Sequence, residues 1–256
     1  MQLEPGYRFC LAPRFTSGLS WSQRLQINNG EARSGPLGTA NLAWHPASES
    51  QLNALVTGET PEDVWRRDIC LFAIPEHLRA KWWEMAARQI ETLPSRLDGM
   101  EPFARAVAEF AQFKHVPLPR QCAFEVTLTS PHRDSIEEPS AAQVLRQALV
   151  VEANGRSSPL VARINLGDER TALLFLNLSR SRMTEMLNHQ GHKAADTTET
   201  SDLVRAFLAQ FPTYPLVRLS LDPGEGIWLP NSEVIYGVDR SGKSDLDAWL
   251  ILKGEG

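Results

Sequence analysis

His132 and Asp134 stand two positions apart, a spacing at which two side chains can bind one metal ion. Side chains of an extended chain repeat every two residues, so an imidazole and a carboxylate at this spacing face the same way. A divalent metal held by this pair and a third ligand would keep open positions for reactants. A pair this short also arises by chance. The open alternative is an aspartate bonded to loop backbone beside a surface histidine.

The residues before this pair predict the strand that would position it. Phe124, Val126 and Leu128 alternate with polar residues, which is the period-two pattern of a half-buried strand. His132 and Asp134 share the even numbering of the apolar set. If the strand continued through Pro131, the pair would open onto the interior that the apolar side chains cover.

Residues 215–252 carry several strand-length apolar runs separated by turn signals. The turn after the first run is Asp222-Pro223-Gly224, where proline fixes φ and glycine accepts a positive φ. Short strands at this spacing predict a small barrel or jelly roll, with a ligand site in its mouth. Upstream, the runs at 161–166 and 171–178 predict a hairpin around a Gly-Asp turn.

The helical part of the chain is predicted at about 61–115. Leu78, Trp82 and Met85 recur on one face of a helix, which indicates packing against a sheet. We therefore expect an α+β fold: a double-stranded β-helix, or jelly-roll barrel, in the C-terminal half, backed by N-terminal helices. The expected organisation is a single domain over residues 1–256, with helical support at about 61–115 and a β-barrel core at about 117–252.

Composition excludes several classes of partner. The net charge is −5, and no Lys/Arg run exceeds two residues, so neither nucleic acid nor an anionic membrane surface is expected to bind. No apolar stretch is long enough to span a bilayer, and no signal peptide is visible. Three widely spaced cysteines are typical of a reducing compartment. We expect a cytoplasmic protein with a small-molecule substrate; a homodimer is left open.

The His-x-Asp pair, the strands after it and the segment Pro-Gly-Glu-Gly-x-Trp-Leu-Pro at 223–230 resemble a known family. They resemble the 2-oxoglutarate/Fe(II)-dependent oxygenases, whose double-stranded β-helix belongs to the cupin-like superfamily. The resemblance covers about 117–252. It implies Fe(II) bound by His132 and Asp134, 2-oxoglutarate as the second cofactor, and hydroxylation or a related oxidation of a small molecule.

The position of the family's distal histidine falls on Tyr236. A phenol has a pKa of about 10 and is a poor ligand for Fe(II) at neutral pH. The third metal ligand therefore stays open among Tyr236, His189, His192 and none of these.

The resemblance also implies a basic residue that binds the carboxylate of 2-oxoglutarate. A guanidinium suits this role because its fork matches two carboxylate oxygens. The candidates are Arg163, Arg218, Arg240 and Lys243.

Two other functions remain open from the sequence. One is a degenerate, metal-free β-helix protein that binds a small ligand among Tyr236, Trp228 and an arginine. The other is a cupin-like isomerase or lyase that uses its metal as a Lewis acid.

Overall fold

The chain forms a mixed α+β fold with two mostly antiparallel sheets, and the α+β expectation is confirmed. The computed structural model describes residues 3–12, 19–29, 32–34, 40–59, 67–89, 101–110, 121–128, 161–192, 200–230, 234–239 and 246–253.

Thirteen strands run through the described residues. They are β1 (Phe9–Leu11), β2 (Leu25–Asn28), β3 (Ala32–Ser34), β4 (Ala40–Leu42), β5 (His45–Pro46), β6 (Ile69–Ala73), β7 (Gln121–Leu128), β8 (Val161–Asn165), β9 (Thr171–Ser179), β10 (Leu216–Leu221), β11 (Glu225–Leu229), β12 (Val234–Asp239) and β13 (Leu246–Lys253). The helices of the same ranges are α1 (Trp21–Arg24), α2 (Glu49–Leu55), α3 (Glu76–Gln89), α4 (Glu101–Phe110), α5 (Arg180–His189) and α6 (Thr200–Gln210).

Eleven of these strands form two large sheets. Sheet A has the order β1-β6-β11-β8-β13-β7 and is antiparallel except for the parallel pair β1–β6. Sheet B has the order β12-β9-β10-β2-β5 and is antiparallel throughout. Strands β3 and β4 pair only with each other.

The two sheets pack face to face across an apolar layer, called here the inter-sheet layer. Alternate strand residues supply it, since successive side chains of a strand point to opposite faces. Across it, Phe9 of sheet A meets Phe175 of sheet B edge-on, with ring centroids 5.6 Å apart. Its other main members are Leu25, Ile27, Ile69, Leu71, Leu173, Val217, Leu219, Ile227, Leu229, Tyr236, Trp249 and Ile251.

Helices cover the outer faces of both sheets. On sheet A, Trp82 of α3 and Phe103 of α4 pack against a cluster that includes Phe72 and Leu250. On sheet B, α5 and α6 bury residues such as Met183 against the outward side chains of β9 and β12. The fold is therefore four layers deep: the N-terminal helices α3 and α4 cover sheet A, and α5 and α6 add a second helical layer on sheet B. No helix within the described ranges is long and apolar enough to cross a membrane.

The predicted hairpin over 161–178 is wrong in its pairing. Both strands exist, but β8 belongs to sheet A and β9 to sheet B, so the turn between them crosses from one sheet to the other. The turn between β10 and β11 crosses back in the same way. Alternation shows that each strand has a buried face, but it cannot show that two consecutive strands bury their faces in different sheets.

The predicted helical support at 61–115 is also only partly correct. Strand β6 lies within it and pairs with both β1 and β11 in sheet A. It is covered on both faces, so it carries a continuous apolar run and shows no alternation. Together with β1, β2 and β5, it extends the sheets well beyond the predicted barrel core at 117–252.

A buried ion pair joins the two sheets at the end of the molecule where these crossings occur. Arg24, just before β2, donates to both carboxylate oxygens of Glu225 on β11 at 2.6 Å. The backbone N–H of Asp222 donates to the same carboxylate at 2.7 Å. The turn that brings Glu225 into place contains Gly224 at φ 83°, a conformation that favours glycine.

Glu225→Gln is expected to lower the free energy of unfolding by about 3–5 kcal/mol, because it leaves the buried Arg24 guanidinium without its counter-charge. The matched control is Arg170→Ala, which removes a largely exposed partner of Asp222 at the same end. The control should cost no more than about 1 kcal/mol. Urea unfolding followed by circular dichroism measures both, and equal losses would contradict a dominant role for the buried pair.

Candidate functional site

The inter-sheet layer contains a second buried arginine, and this one contacts a tyrosine of the opposite sheet. Arg163 lies on β8 in sheet A and Tyr236 on β12 in sheet B. The Nε of Arg163 donates to the Tyr236 hydroxyl at 2.9 Å, and its guanidinium carbon lies 5.2 Å from the centroid of the ring. Arg163 is 3% exposed and Tyr236 is 8% exposed. A cation and a phenol therefore meet in the middle of the molecule.

Strand register explains why these two side chains meet. Arg163 is the register partner of Ile227 and Ile251, whose side chains belong to the inter-sheet layer. Tyr236 is the partner of Phe175, and an irregularity in β12 shifts the register just before it. The two residues occupy inward positions on facing strands. Each was a candidate from the sequence, which placed Tyr236 beside an arginine in one alternative without identifying that arginine.

This arrangement suits recognition of a small anion. A guanidinium presents its N–H donors as a planar fork that matches the two oxygens of a carboxylate. The cation–π contact fixes the plane of the guanidinium, and a fixed fork loses less freedom when a ligand binds. The apolar side chains around it strengthen any charge-assisted hydrogen bond, because the local dielectric constant is low.

Arg218, another candidate anchor, lies on the other face of sheet B. Its Nε donates to Asp239 at 2.7 Å, its Nη1 donates to Gln26 at 2.8 Å, and its guanidinium lies over the ring of Trp44. Because β10 places its odd-numbered residues inward, Arg218 faces the opposite side from Arg163. These contacts give Arg218 a structural role on the outer face of sheet B.

Trp228 is buried but does not share the space of Arg163. It packs against Phe72 on the helix-covered face of sheet A, with ring centroids 5.8 Å apart. On β11 it is Ile227 that lies inward, because neighbouring side chains alternate between the faces. The predicted pocket of Tyr236, Trp228 and an arginine is therefore brought together only in part.

The two histidines considered as a third metal ligand lie outside the inter-sheet layer. His189 is at the end of α5, where its side chain is 75% exposed and 3.8 Å from Glu185. Nε2 of His192 is 3.2 Å from Oε1 of Gln210. Since α5 and α6 cover the outer face of sheet B, that sheet separates both histidines from Tyr236.

Four of the predicted site residues, His132, Asp134, Arg240 and Lys243, lie outside the described residues. The interpretation that His132 and Asp134 face the interior of the barrel therefore stays a prediction.

The surroundings of Tyr236 do not fit the third ligand of an iron site. Its hydroxyl accepts a hydrogen bond from the Arg163 cation and lies close to that positive charge, which repels a second cation. Within the described part of the chain, no group of three or more His, Cys, Asp or Glu residues is placed to hold a metal ion. A positive charge beside the Tyr236 oxygen therefore disfavours a second cation at that oxygen.

Neither a scan against models of protein families nor a search of curated protein sequences finds a match to this chain.

A double-mutant cycle tests the Arg163–Tyr236 contact. Arg163→Met and Tyr236→Phe should each destabilise the fold, since each leaves a buried polar partner with one hydrogen bond fewer, and their effects should couple by about 0.5–3 kcal/mol. Urea unfolding of the wild type, the two single variants and the double variant gives the coupling energy. Effects that add to within about 0.5 kcal/mol would show that the two side chains do not interact.

Proposed function

We propose that the protein is a jelly-roll protein of the 2-oxoglutarate oxygenase type, which binds 2-oxoglutarate or a similar small carboxylate at Arg163 between its sheets. The oxidation of a small molecule with Fe(II) is the reaction proposed for this site. The strand order of the two sheets is the observation that carries the proposal.

A jelly roll is an eight-stranded antiparallel ribbon rolled into two sheets. In the ribbon, strand one pairs with eight, two with seven, three with six and four with five. Rolling brings three beside eight in one sheet and four beside seven in the other. Reading β7 as strand one and β8 to β13 as strands three to eight agrees with each of these pairings that involves the seven described strands. The placement of β8, β11 and β13 in sheet A and of β9, β10 and β12 in sheet B follows the same rule.

Strand two would fall by chain order between β7 and β8, at residues that the structure does not describe. The candidate pair His132 and Asp134 belongs to the same stretch of sequence. The stretch of sequence in which the proposed jelly roll would have strand two therefore also contains the two residues that the resemblance assigns to metal binding.

Of the two candidate carboxylate anchors that the structure describes, Arg163 is the better placed. It lies on strand three of the proposed roll, inside the inter-sheet layer, whereas Arg218 faces outward and bonds to Asp239. Tyr236 orients its guanidinium through a hydrogen bond and a ring contact. In this proposal Arg163 binds and orients the ligand carboxylate, and the apolar side chains around it exclude water.

Iron, when bound, would supply the activation of dioxygen. His132 and Asp134 are the residues that the resemblance offers for it. Because Tyr236 does not suit the third position, no step of the reaction is assigned to that residue as a metal ligand.

A second candidate function follows from the same contact. If the Arg163 cation and the Tyr236 phenol have replaced the distal histidine of the metal site, the protein is a metal-free binder of a small carboxylate. The hydrogen bond between Arg163 and Tyr236 favours this function, because it uses the tyrosine oxygen that a metal would need.

Arg163→Met is expected to weaken binding of 2-oxoglutarate at least about tenfold, because it removes a charge-assisted hydrogen bond from a site of low dielectric constant. Arg163→Lys keeps the charge without the fork and should fall between Arg163→Met and wild type. Arg218→Met is the control on the opposite face of sheet B and should bind like wild type. Isothermal titration calorimetry on folded protein measures all four. Equal losses in the two methionine variants, or no binding by wild type, would contradict the role of Arg163.

Iron content and succinate release separate the two candidate functions. An oxygenase should bind Fe(II) and release succinate from 2-oxoglutarate, and His132→Ala or Asp134→Ala should abolish both without unfolding the chain. A metal-free binder should retain 2-oxoglutarate affinity but bind Fe(II) poorly, and Tyr236→His should then improve metal binding. Elemental analysis and a succinate assay decide the matter. Metal without 2-oxoglutarate turnover would contradict both functions and favour an isomerase or lyase.

A further inference from the structure

Two cysteines that are distant in sequence lie side by side in sheet A. Cys10 on β1 and Cys70 on β6 are register partners in the parallel pair of strands, and their sulfur atoms are 2.7 Å apart. Adjacent strands are about 4.8 Å apart, which falls within the range of about 4.4–6.8 Å between the Cα atoms of disulfide-bonded cysteines. The backbone therefore already meets the main geometric requirement for a cross-link.

The surroundings of the two sulfurs are apolar. Both cysteines are fully buried in the cluster between sheet A and helices α3 and α4, and Trp228 is the register partner of Cys70 on the next strand. A disulfide has no strong hydrogen-bonding group, so burying one there leaves no polar atom unpaired. The site can therefore hold the pair in either redox state with little change in packing.

We propose that Cys10 and Cys70 form a reversible intramolecular disulfide when the protein meets a thiol–disulfide oxidant of the glutathione class. One cysteine thiolate attacks oxidised glutathione, forms a mixed disulfide and releases one reduced glutathione. The second thiolate then displaces the other glutathione and closes the Cys10–Cys70 bond. Two protons and two electrons leave the cysteines, and one glutathione disulfide becomes two thiols.

The position of β1 gives the oxidant a route to the buried sulfurs. This strand has three residues: β6 is its neighbour in sheet A, and on its other edge Phe9 forms an isolated bridge with Val56. Short elements with few ladder hydrogen bonds open locally at a lower free energy than the core strands do. Exchange therefore proceeds when β1 separates transiently from β6, and closure of the disulfide prevents that separation.

The cross-link would join the ends of a long loop. The chain between the two cysteines contains α1, β2, β5 and α2, so the bond would tie part of sheet B to sheet A through the covalent chain. Closing a loop of this length restricts the unfolded chain, and we expect the oxidised protein to melt roughly 10 °C higher than the reduced protein.

The test uses the full chain with Cys122→Ser, which leaves only the two cysteines in question. Samples are equilibrated in reduced and in oxidised glutathione, both as folded protein and during refolding from urea, so that access to the sulfurs does not limit the result. Intact mass should fall by two hydrogen atoms in the oxidised samples, and a digest should contain the linked peptides. Dithiothreitol should reverse both changes and the rise in melting temperature.

A second variant, Cys10→Ser combined with Cys122→Ser, is the matched control and should show neither the linked peptides nor the rise. The proposal is overturned if Cys10 and Cys70 remain thiols after refolding in oxidised glutathione. It is also overturned if the linked protein melts below the reduced form, because the bond would then be incompatible with this fold.

Discussion

The buried ion pair between Arg24 and Glu225 is the interaction on which the two-sheet architecture most depends. It joins sheet B to sheet A where the chain passes from one to the other, and there the apolar layer alone gives no directional contact. A carboxylate that accepts two guanidinium bonds and a backbone N–H has most of its lone pairs satisfied, which offsets the cost of its burial. The geometry of this pair thereby sets how the turn before β11 meets the start of β2.

Arg163 occupies the same layer but has a different kind of contact. Arg24 meets a carboxylate from its own chain, whereas Arg163 meets the phenol of Tyr236, which is neutral at ordinary pH. An arginine binds a carboxylate of its own chain and a carboxylate of a ligand through the same charge-assisted hydrogen bonds. Arg24 joins the two sheets, and Arg163 is the residue at which we propose that a ligand carboxylate binds.

The layers also separate two kinds of chemistry. The inter-sheet layer carries the polar contact proposed for ligand binding, and the helix-covered face of sheet A carries the paired thiols. Both use β6 and β11, because the alternation of strand side chains lets one strand serve two faces. In β11, Ile227 faces the side of Arg163 and Trp228 faces the side of Cys70. A change in redox state at the thiols would therefore act on strands that also frame the candidate site.

The local sequence pattern determined where many of the helices and strands of this protein lie. Alternation and turn residues located most strands of the C-terminal half, periodicity located α3, and Arg163 was one of four basic residues considered as a carboxylate anchor. These features follow from one stretch of chain at a time. Only the tertiary structure decided which strands share a sheet, that the turn after β8 crosses between sheets, and that β6 is a strand within an otherwise helical region. It also decided that Arg163 meets Tyr236, that Trp228 faces away from both, and that Cys10 lies beside Cys70. The physical reason is that a strand's period shows that it has two faces, while what covers each face is set by residues far away in sequence.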